Sequence, residues 1–319
     1  MTNESRTTVV GTLATIRDYI RWASSRFAAA GLCFGHGTAT AFDEAAALVL
    51  HTLHQPHDLP AIYLGAALTP EERARIVDRV EQRIAERKPL AYLLGEAWFG
   101  GLAFRVDERV LVPRSPLAEL ILNRFVPWID PEQIQSVLDL CTGSGCIAIL
   151  CAHVFPEAAI DAVDVSQEAL AVARENVQRH GVEDAVELIG SDLFAGLGAA
   201  RYDIIVSNPP YVSCGEWEAL PAEYHAEPRL GLESGEDGLD CVRRILAGAI
   251  HHLNPEGVLV VEVGSSAEAL MAAYPAVPFT WLDFEHGGDG VFLLTARELA
   301  EHRGVFESGV RRFDDRPGQ

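Results

Sequence analysis

Over the first ninety residues the apolar positions recur at helical spacing. Leu13, Ile16, Ile20, Ala23 and Phe27 form one series, and Ile76, Val77, Val80 and Ile84 form another, so each puts its apolar side chains on one helix face. Thr69-Pro70-Glu71-Glu72 combines a capping box with proline at the first helical position, and Lys88-Pro89 ends that helix. A further helix is predicted within 36–53, stopping near Pro56. From 92 to 112 the stretches shorten. Gly95, Gly100 and Gly101 punctuate Trp98, Phe99, Phe104 and Val106, which predicts a hairpin linking two domains. Val112-Pro113-Arg114-Ser115-Pro116 then reads as a rigid turn before a helix through Glu119 and Leu122.

After Pro131 short apolar runs at 136–140, 159–163, 186–189, 202–207 and 258–263 alternate with helical stretches. One of these, 166–180, is capped by Ser166 and closed by Gly181. That alternation predicts a parallel sheet covered on both faces. The last two strands, near 279–284 and 291–295, are joined by His286-Gly287-Gly288-Asp289-Gly290. The link is too short for a parallel crossover, so an antiparallel hairpin is expected. The division is a helical domain over 1–90, a hairpin linker over 91–112, an α/β domain over 113–299 and a frayed polar tail over 300–319.

Length agrees with this division, since 319 residues at roughly 150 per domain make about two. With 49% hydrophobic and 22% charged residues, disordered, collagen-like and coiled-coil chains are excluded. No apolar run approaches the roughly 20 residues of a membrane span, and Met1-Thr2-Asn3-Glu4-Ser5-Arg6 lacks a secretory pattern. Six cysteines form no CxxC pair, which fits a reducing cytoplasm. His51, His54 and His57 are interrupted by Pro56 and have no acidic or cysteine partner at ligand spacing, so no metal is expected. The net charge is −21, and the first ninety residues balance 10 basic against 10 acidic, so the later part carries all of it. Such a surface repels a phosphate backbone and attracts a basic polypeptide, so a basic protein partner is expected and stable nucleic-acid binding is not. The run at 214–240, with eight acids against Arg229 alone, is expected to recruit that partner.

The first strand of the sheet runs into Asp139-Leu140-Cys141-Thr142-Gly143-Ser144-Gly145-Cys146. Glycines let the backbone turn sharply against a ligand, and the next helix presents unpaired N–H groups. Asp164 closes the second strand, where a carboxylate can accept from ribose hydroxyls. This predicts a nucleoside site, and the fingerprint alone fits a dinucleotide enzyme and a methyltransferase equally. The fourth strand ends in Asn208-Pro209-Pro210-Tyr211. Two prolines remove backbone donors and leave carbonyls that only accept, Asn208 adds a side-chain carbonyl, and Tyr211 adds an aromatic face. That set suits a planar NH2 group and has no role in hydride transfer.

At this point the chain resembles the class I methyltransferases that use S-adenosylmethionine, and among them the protein glutamine methyltransferases of the HemK, PrmC and PrmB type. The resemblance covers nearly the whole chain, including Glu227-Pro228-Arg229-Leu230-Gly231-Leu232, Glu236-Asp237-Gly238-Leu239 and the late Gly-Asp-Gly hairpin. Phe34-Gly35-His36-Gly37-Thr38, Asp43-Glu44-Ala45, His51-Thr52-Leu53-His54, Gly95-Glu96-Ala97-Trp98-Phe99 and Val112–Pro116 look like the PrmB branch, which acts on large-subunit ribosomal protein three. The release-factor branch usually has Pro-Arg-Pro-Asp-Thr-Glu where this chain has Pro113-Arg114-Ser115-Pro116-Leu117-Ala118.

The resemblance implies a Rossmann-like α/β fold, a mostly parallel seven-stranded sheet with a C-terminal antiparallel hairpin, behind a helical substrate-recognition domain. It implies S-adenosylmethionine against Asp139, Cys141, Thr142, Gly143, Ser144, Gly145 and Asp164, with adenine near Asp192 and Leu193. It assigns Asn208 to both cofactor and substrate, an accepting carbonyl to Pro209, a wall to Pro210, and a face packed on the amide to Tyr211. The implied reaction is glutamine amide methylation in that ribosomal protein. The alternatives are release factors, adenine amino groups of nucleic acids, and a non-catalytic ribosome-assembly factor.

Overall fold

The apolar series near the start of the chain become helices α1 (Asn3–Thr12), α2 (Ile16–Ala29), α3 (Ala41–Thr52), α4 (Pro70–Glu86) and α5 (Leu90–Leu94) in a computed structural model that describes residues 2–314. Capping boxes open α2 (Thr15 with Asp18) and α4 (Thr69 with Glu72), satisfying amides that a helix start leaves unpaired. Helix α4 stops where Arg87 turns left-handed at φ 52°, just ahead of Lys88-Pro89. Tyr19, Ala23 and Phe27 pack with Ala45, Leu48 and Val49 and with Ile76, Val77 and Val80, all buried. The unit these helices form comprises Met1–Ala97 and also Pro221–Ala226. Six residues of a late loop therefore belong with the helices, which a division into contiguous segments does not anticipate.

The other unit comprises Trp98–Leu220 and Glu227–Gln319. A two-stranded ribbon, β1 (Glu96–Phe99) and β2 (Leu102–Arg105), turns at Gly100 and Gly101, whose φ values of 55° and 81° are those of a tight hairpin. The chain continues through α6 (Leu117–Leu122), β3 (Ser136–Leu140), α7 (Cys146–Val154), β4 (Ala159–Asp164), α8 (Gln167–His180), β5 (Val186–Gly190) and β6 (Tyr202–Ser207). It ends with α9 (Cys214–Ala219), α10 (Asp240–His252), β7 (Leu253–Glu262), α11 (Ala267–Ala273), β8 (Thr280–Trp281), β9 (Val291–Thr295) and α12 (Ala296–Asp314).

Seven strands form one sheet in the order β5-β4-β3-β6-β7-β9-β8. Strands β3 to β7 are parallel, and β9 runs antiparallel to both β7 and β8, so the fold is that of a class I methyltransferase. Alternate residues feed two separate cores. Val137, Ile160, Ile204, Val206 and Val260 face one, while Leu138, Val163, Ile205, Leu259 and Val261 face the other. Both faces are covered, which is why the strands read as continuous apolar runs. No helix among the described residues is long and apolar enough to cross a membrane.

The expected frayed tail from 300 is instead most of α12. Thr295 and Glu298 make reciprocal side-chain to backbone bonds at its start, and Leu299 and Phe306 are buried in the second core. The helix is amphipathic, and its charged outer face, with Arg303 paired to Glu307, hides that periodicity from composition. Residues 315–319 of the expected tail lie outside the described residues.

Candidate functional site

Between β3 and β6 the direction of sheet growth reverses, the point at which open parallel sheets leave a crevice at their carboxyl ends. Leu140 of β3 stands in register with Ser207 of β6, and the Ser207 hydroxyl donates to the Leu140 carbonyl at 2.7 Å. The glycine loop and Asn208 thus leave neighbouring strands at the same edge. A cavity of about 430 Å³ opens there, within the size range of small-ligand sites. Its wall includes Cys141, Gly143, Asp164, Asp192, Leu193, Asn208 and Pro210.

The loop after β3 needs a left-handed backbone at Cys141, Gly143 and Gly145 (φ 60°, 56° and 80°). A side chain on Gly143 would meet no protein atom within 4 Å, so this edge is open to a ligand. Gly145 is different: a Cβ there would lie 3.3 Å from Ala173 Cβ, so its glycine lets α8 approach. Cys141 shares a hydrogen bond with Cys241, and this together with burial holds its thiol well above the usual range. Burial pushes Cys146 up to about 12. Both stay protonated at neutral pH and contribute packing rather than nucleophiles.

Asp164 accepts from the Gly143 amide and the Ser166 amide, both at 2.9 Å, and so ties the glycine loop to the end of β4. Burial raises its carboxyl above the ordinary value, although those amide bonds oppose the shift. Asp139 stands apart from the cavity wall. It is fully buried behind the loop, where Oδ2 accepts from the Thr142 hydroxyl at 2.6 Å and the Ala148 amide at 3.1 Å, and among the described residues Oδ1 has no hydrogen-bond partner. Asp139 therefore ties the loop to α7. Thr142 and Ser144 are likewise buried, the latter through its carbonyl accepting from Asn176 at 2.9 Å.

Burial pushes the Asp139 carboxyl up to about 7 from its ordinary 3.8. A folded-state value above the unfolded one means that stability is fully present below the unfolded value. It is lost as pH rises through the folded one. Asp139→Asn should thus gain on the wild type as pH rises from about 5 to 8, with a ceiling of roughly 3 kcal/mol over that range. Urea midpoints of the two proteins at those pH values test this. An unchanging difference would show that Asp139 does not titrate in the folded protein.

Asn208 lines the cavity, and among the described residues its side chain has no hydrogen-bond partner. Pro210 joins it in the wall, whereas Pro209 is buried and Tyr211 stands half-buried beside the cavity. The sequence reading gave the rest of the wall no site role, although Pro228, Leu230 and Gly231 lie in a stretch that carried the family resemblance. Pro228, Leu230, Gly231, Glu233, Ser234 and Gly235 arrive from a distant loop, and Arg109, Cys241 and Arg244 come from outside every motif. Arg244 pairs with Asp192 at 2.7 Å, so the expected adenine-side carboxylate already has a cation.

Glu227, one residue before that wall, is buried and accepts from Arg114 at 2.7 and 2.8 Å and from the Val112 amide at 3.0 Å. Val112-Pro113-Arg114 therefore anchors the returning loop. Glu223 plays the matching part within the helical unit. It is fully buried, 3.0 Å from Arg87 and 3.6 Å from Arg83, and accepts from the Cys33 amide at 3.1 Å. Arg83 donates in turn to Glu44 at 2.7 Å, and Thr38 donates to the same carboxylate at 3.2 Å. The Tyr224 ring lies 4.3 Å from His36, and its hydroxyl lies 3.1 Å from where a Cβ on Gly35 would be. The stretches at 34–38 and 43–45 thus hold residues 221–226.

These pairs change the reading of the acidic run at 214–240. Of its eight acids, Glu223 and Glu227 are buried, Asp237 and Asp240 pair with Arg243, and Glu233 pairs with Arg229. The exposed ones are Glu216, Glu218 and Glu236.

The Methyltransferase small domain family matches residues 119–220. A ribosomal protein uL3 glutamine methyltransferase of Francisella tularensis subsp. tularensis is 51% identical over 300 residues, covering 94% of this chain and 96% of the relative. Proteins of the same name from Neisseria meningitidis serogroup A (54% over 289 residues, 90% and 95% covered) and Xanthomonas campestris pv. campestris (51% over 290 residues, 91% and 94% covered) are similar to it as well.

Proposed function

The chain belongs to the ribosomal protein uL3 glutamine methyltransferases, and from that premise we propose that it methylates the side-chain amide nitrogen of a glutamine in uL3, with S-adenosylmethionine as donor. One observation carries the chemical part: Asn208, unpartnered, shares a cavity with the glycine loop of the neighbouring strand. The residues present fit the donor. Gly143 leaves an open edge, Asp164 fixes the loop and would accept from ribose hydroxyls, and Leu193 and Asp192 would flank adenine. When bound, S-adenosylmethionine supplies an electrophilic methyl group on a sulfonium.

A primary amide nitrogen is a poor nucleophile, because its lone pair is delocalised into the carbonyl. Positioning therefore matters more than activation. The side-chain oxygen of Asn208 would accept one amide hydrogen, and the prolines leave the turn after it with carbonyls but no N–H to compete. Held this way, the NH2 group keeps its orientation, and positive charge growing on nitrogen meets oxygens already in place. The surplus proton can leave after transfer, so no dedicated base is required.

In this reading the helical unit recognises substrate, and the reaction belongs in the cytoplasm. Incubating the purified chain with uL3 and, separately, with release factors, then locating the methyl by mass spectrometry, tests the assignment. A methylated uL3 glutamine is expected; methyl on release factors alone would overturn it. Because the chain carries −21 and the proposed substrate is basic, turnover in the same assay should fall as ionic strength rises. With only three acids of the 214–240 run exposed, the fall should be moderate.

A further inference from the structure

The last strand before the antiparallel pair ends in a buried carboxylate to which the mechanism so far gives no work. Glu262 closes β7, and since Ser207 registers with Val261, it stands beside Asn208 at the sheet edge. It is 6% exposed. Among the described residues its hydrogen-bond partners are hydroxyls: Oε1 accepts from Tyr211 at 3.2 Å, and Oε2 accepts from Ser115 at 2.5 Å. Ser115 is itself fixed, because its oxygen accepts from the Leu117 amide at the start of α6. A carboxylate buried among hydroxyls costs solvation that an apolar residue would not, so stability alone does not account for it.

The other contacts of Tyr211 point the same way. Its carbonyl accepts from the Ser266 hydroxyl at 2.6 Å, and its amide donates to the Leu232 carbonyl at 3.1 Å. A Cβ on Gly264 would lie 2.5 Å from the tyrosine ring, and one on Gly238 would lie 2.2 Å from the Tyr211 carbonyl. Gly290 packs on Gly264 so closely that a Cβ there would sit 2.3 Å from the Gly264 carbonyl. Gly264 and Gly238 thus fit ring and backbone on one side, and Gly290 backs Gly264. The far end of the ring is held through its hydroxyl, which donates to Glu262.

We infer that Glu262 and Ser115 are positioning residues that act through Tyr211, fixing the position of the ring against which the acceptor amide lies. The inference rests on the proposed glutamine methylation. It assigns Glu262 a hydrogen bond to accept, and no proton to remove from substrate.

The test uses the full chain with uL3 and S-adenosylmethionine. Glu262→Leu should lower kcat about tenfold, with KM for uL3 and cofactor affinity by calorimetry within about twofold. Glu262→Gln should restore most of the loss, because an amide oxygen still accepts from Tyr211. Combining Glu262→Leu with Tyr211→Phe should cost no more than the larger single loss, since both cut the same contact. Should Glu262→Leu not fold, Ser115→Ala takes its place in the cycle. A Glu262→Gln protein as poor as Glu262→Leu would overturn the inference in favour of a proton-accepting role. Multiplying losses in the double variant, or an unchanged kcat in Glu262→Leu, would overturn it as well. In each of these cases wild-type methylation of uL3, lowered at least about a hundredfold by Asn208→Ala, shows that the functional reading stands. No transfer by the wild type would overturn both.

Discussion

Asn208→Ala should lower methyl transfer to uL3 by about a hundredfold to a thousandfold while leaving S-adenosylmethionine affinity within about threefold. The size follows from what the side chain does. It is the polar group at the end of β6 that faces the cavity without a partner of its own, so its oxygen is available to the acceptor. Alanine there leaves the NH2 group free to rotate and leaves charge growing on nitrogen without a fixed oxygen. Affinity for the donor changes less, because Gly143, Asp164 and Leu193 form a separate part of the same wall. Single-turnover assays with labelled cofactor, beside calorimetry, read the two quantities apart. A variant that still turns over at the wild-type rate would remove Asn208 from the chemistry.

Arg83→Met should destabilise the full chain by about 3–5 kcal/mol, the usual cost of removing one partner from a buried ion cluster. Arg83 is fully buried, and its loss leaves Glu44 at 2% exposure without its paired cation and Glu223 at 0% exposure with Arg87 alone. Burial already pushes the Glu44 carboxyl up, and Arg83 opposes that shift, so the variant's Glu44 carboxyl should be pushed up further. Urea unfolding measures the loss, and hydrogen exchange shows where it falls. Exchange should quicken in α3, in α4 and at 221–226 before it quickens in β3 to β7. A loss below about 1 kcal/mol would mean that water replaces the guanidinium there at little cost.

The same cluster shows where sequence reading stops. The helices around it were legible, because capping boxes and apolar spacing of three and four act within one turn or two. The alternation of strands and helices, the antiparallel end of the sheet, and a glycine loop and Asn-Pro-Pro-Tyr turn at one edge were legible for the same reason. The tail was misread although Thr295 and Glu298 carry a capping signal, because the charged face of α12 outweighed Leu299 and Phe306 in the composition. The acidic run at 214–240 was misread in the opposite direction. Its charge looked available to a partner, whereas Glu223 and Glu227 are taken up by Arg83, Arg87 and Arg114.

By itself the sequence determined the two kinds of architecture, the order of the elements and the residue types gathered at the sheet edge. Each of these follows from local periodicity, from caps or from backbone restriction at glycine and proline. Only the tertiary structure decided which of the site residues face the cavity, that Asp139 braces the loop from behind, and that Glu262 meets Tyr211. It also decided that residues 221–226 group with the N-terminal helices. Those outcomes depend on pairs such as Arg114 with Glu227 and Arg83 with Glu223, more than a hundred positions apart along the chain. Their meeting is set by how whole elements pack, and no window of neighbouring residues contains it.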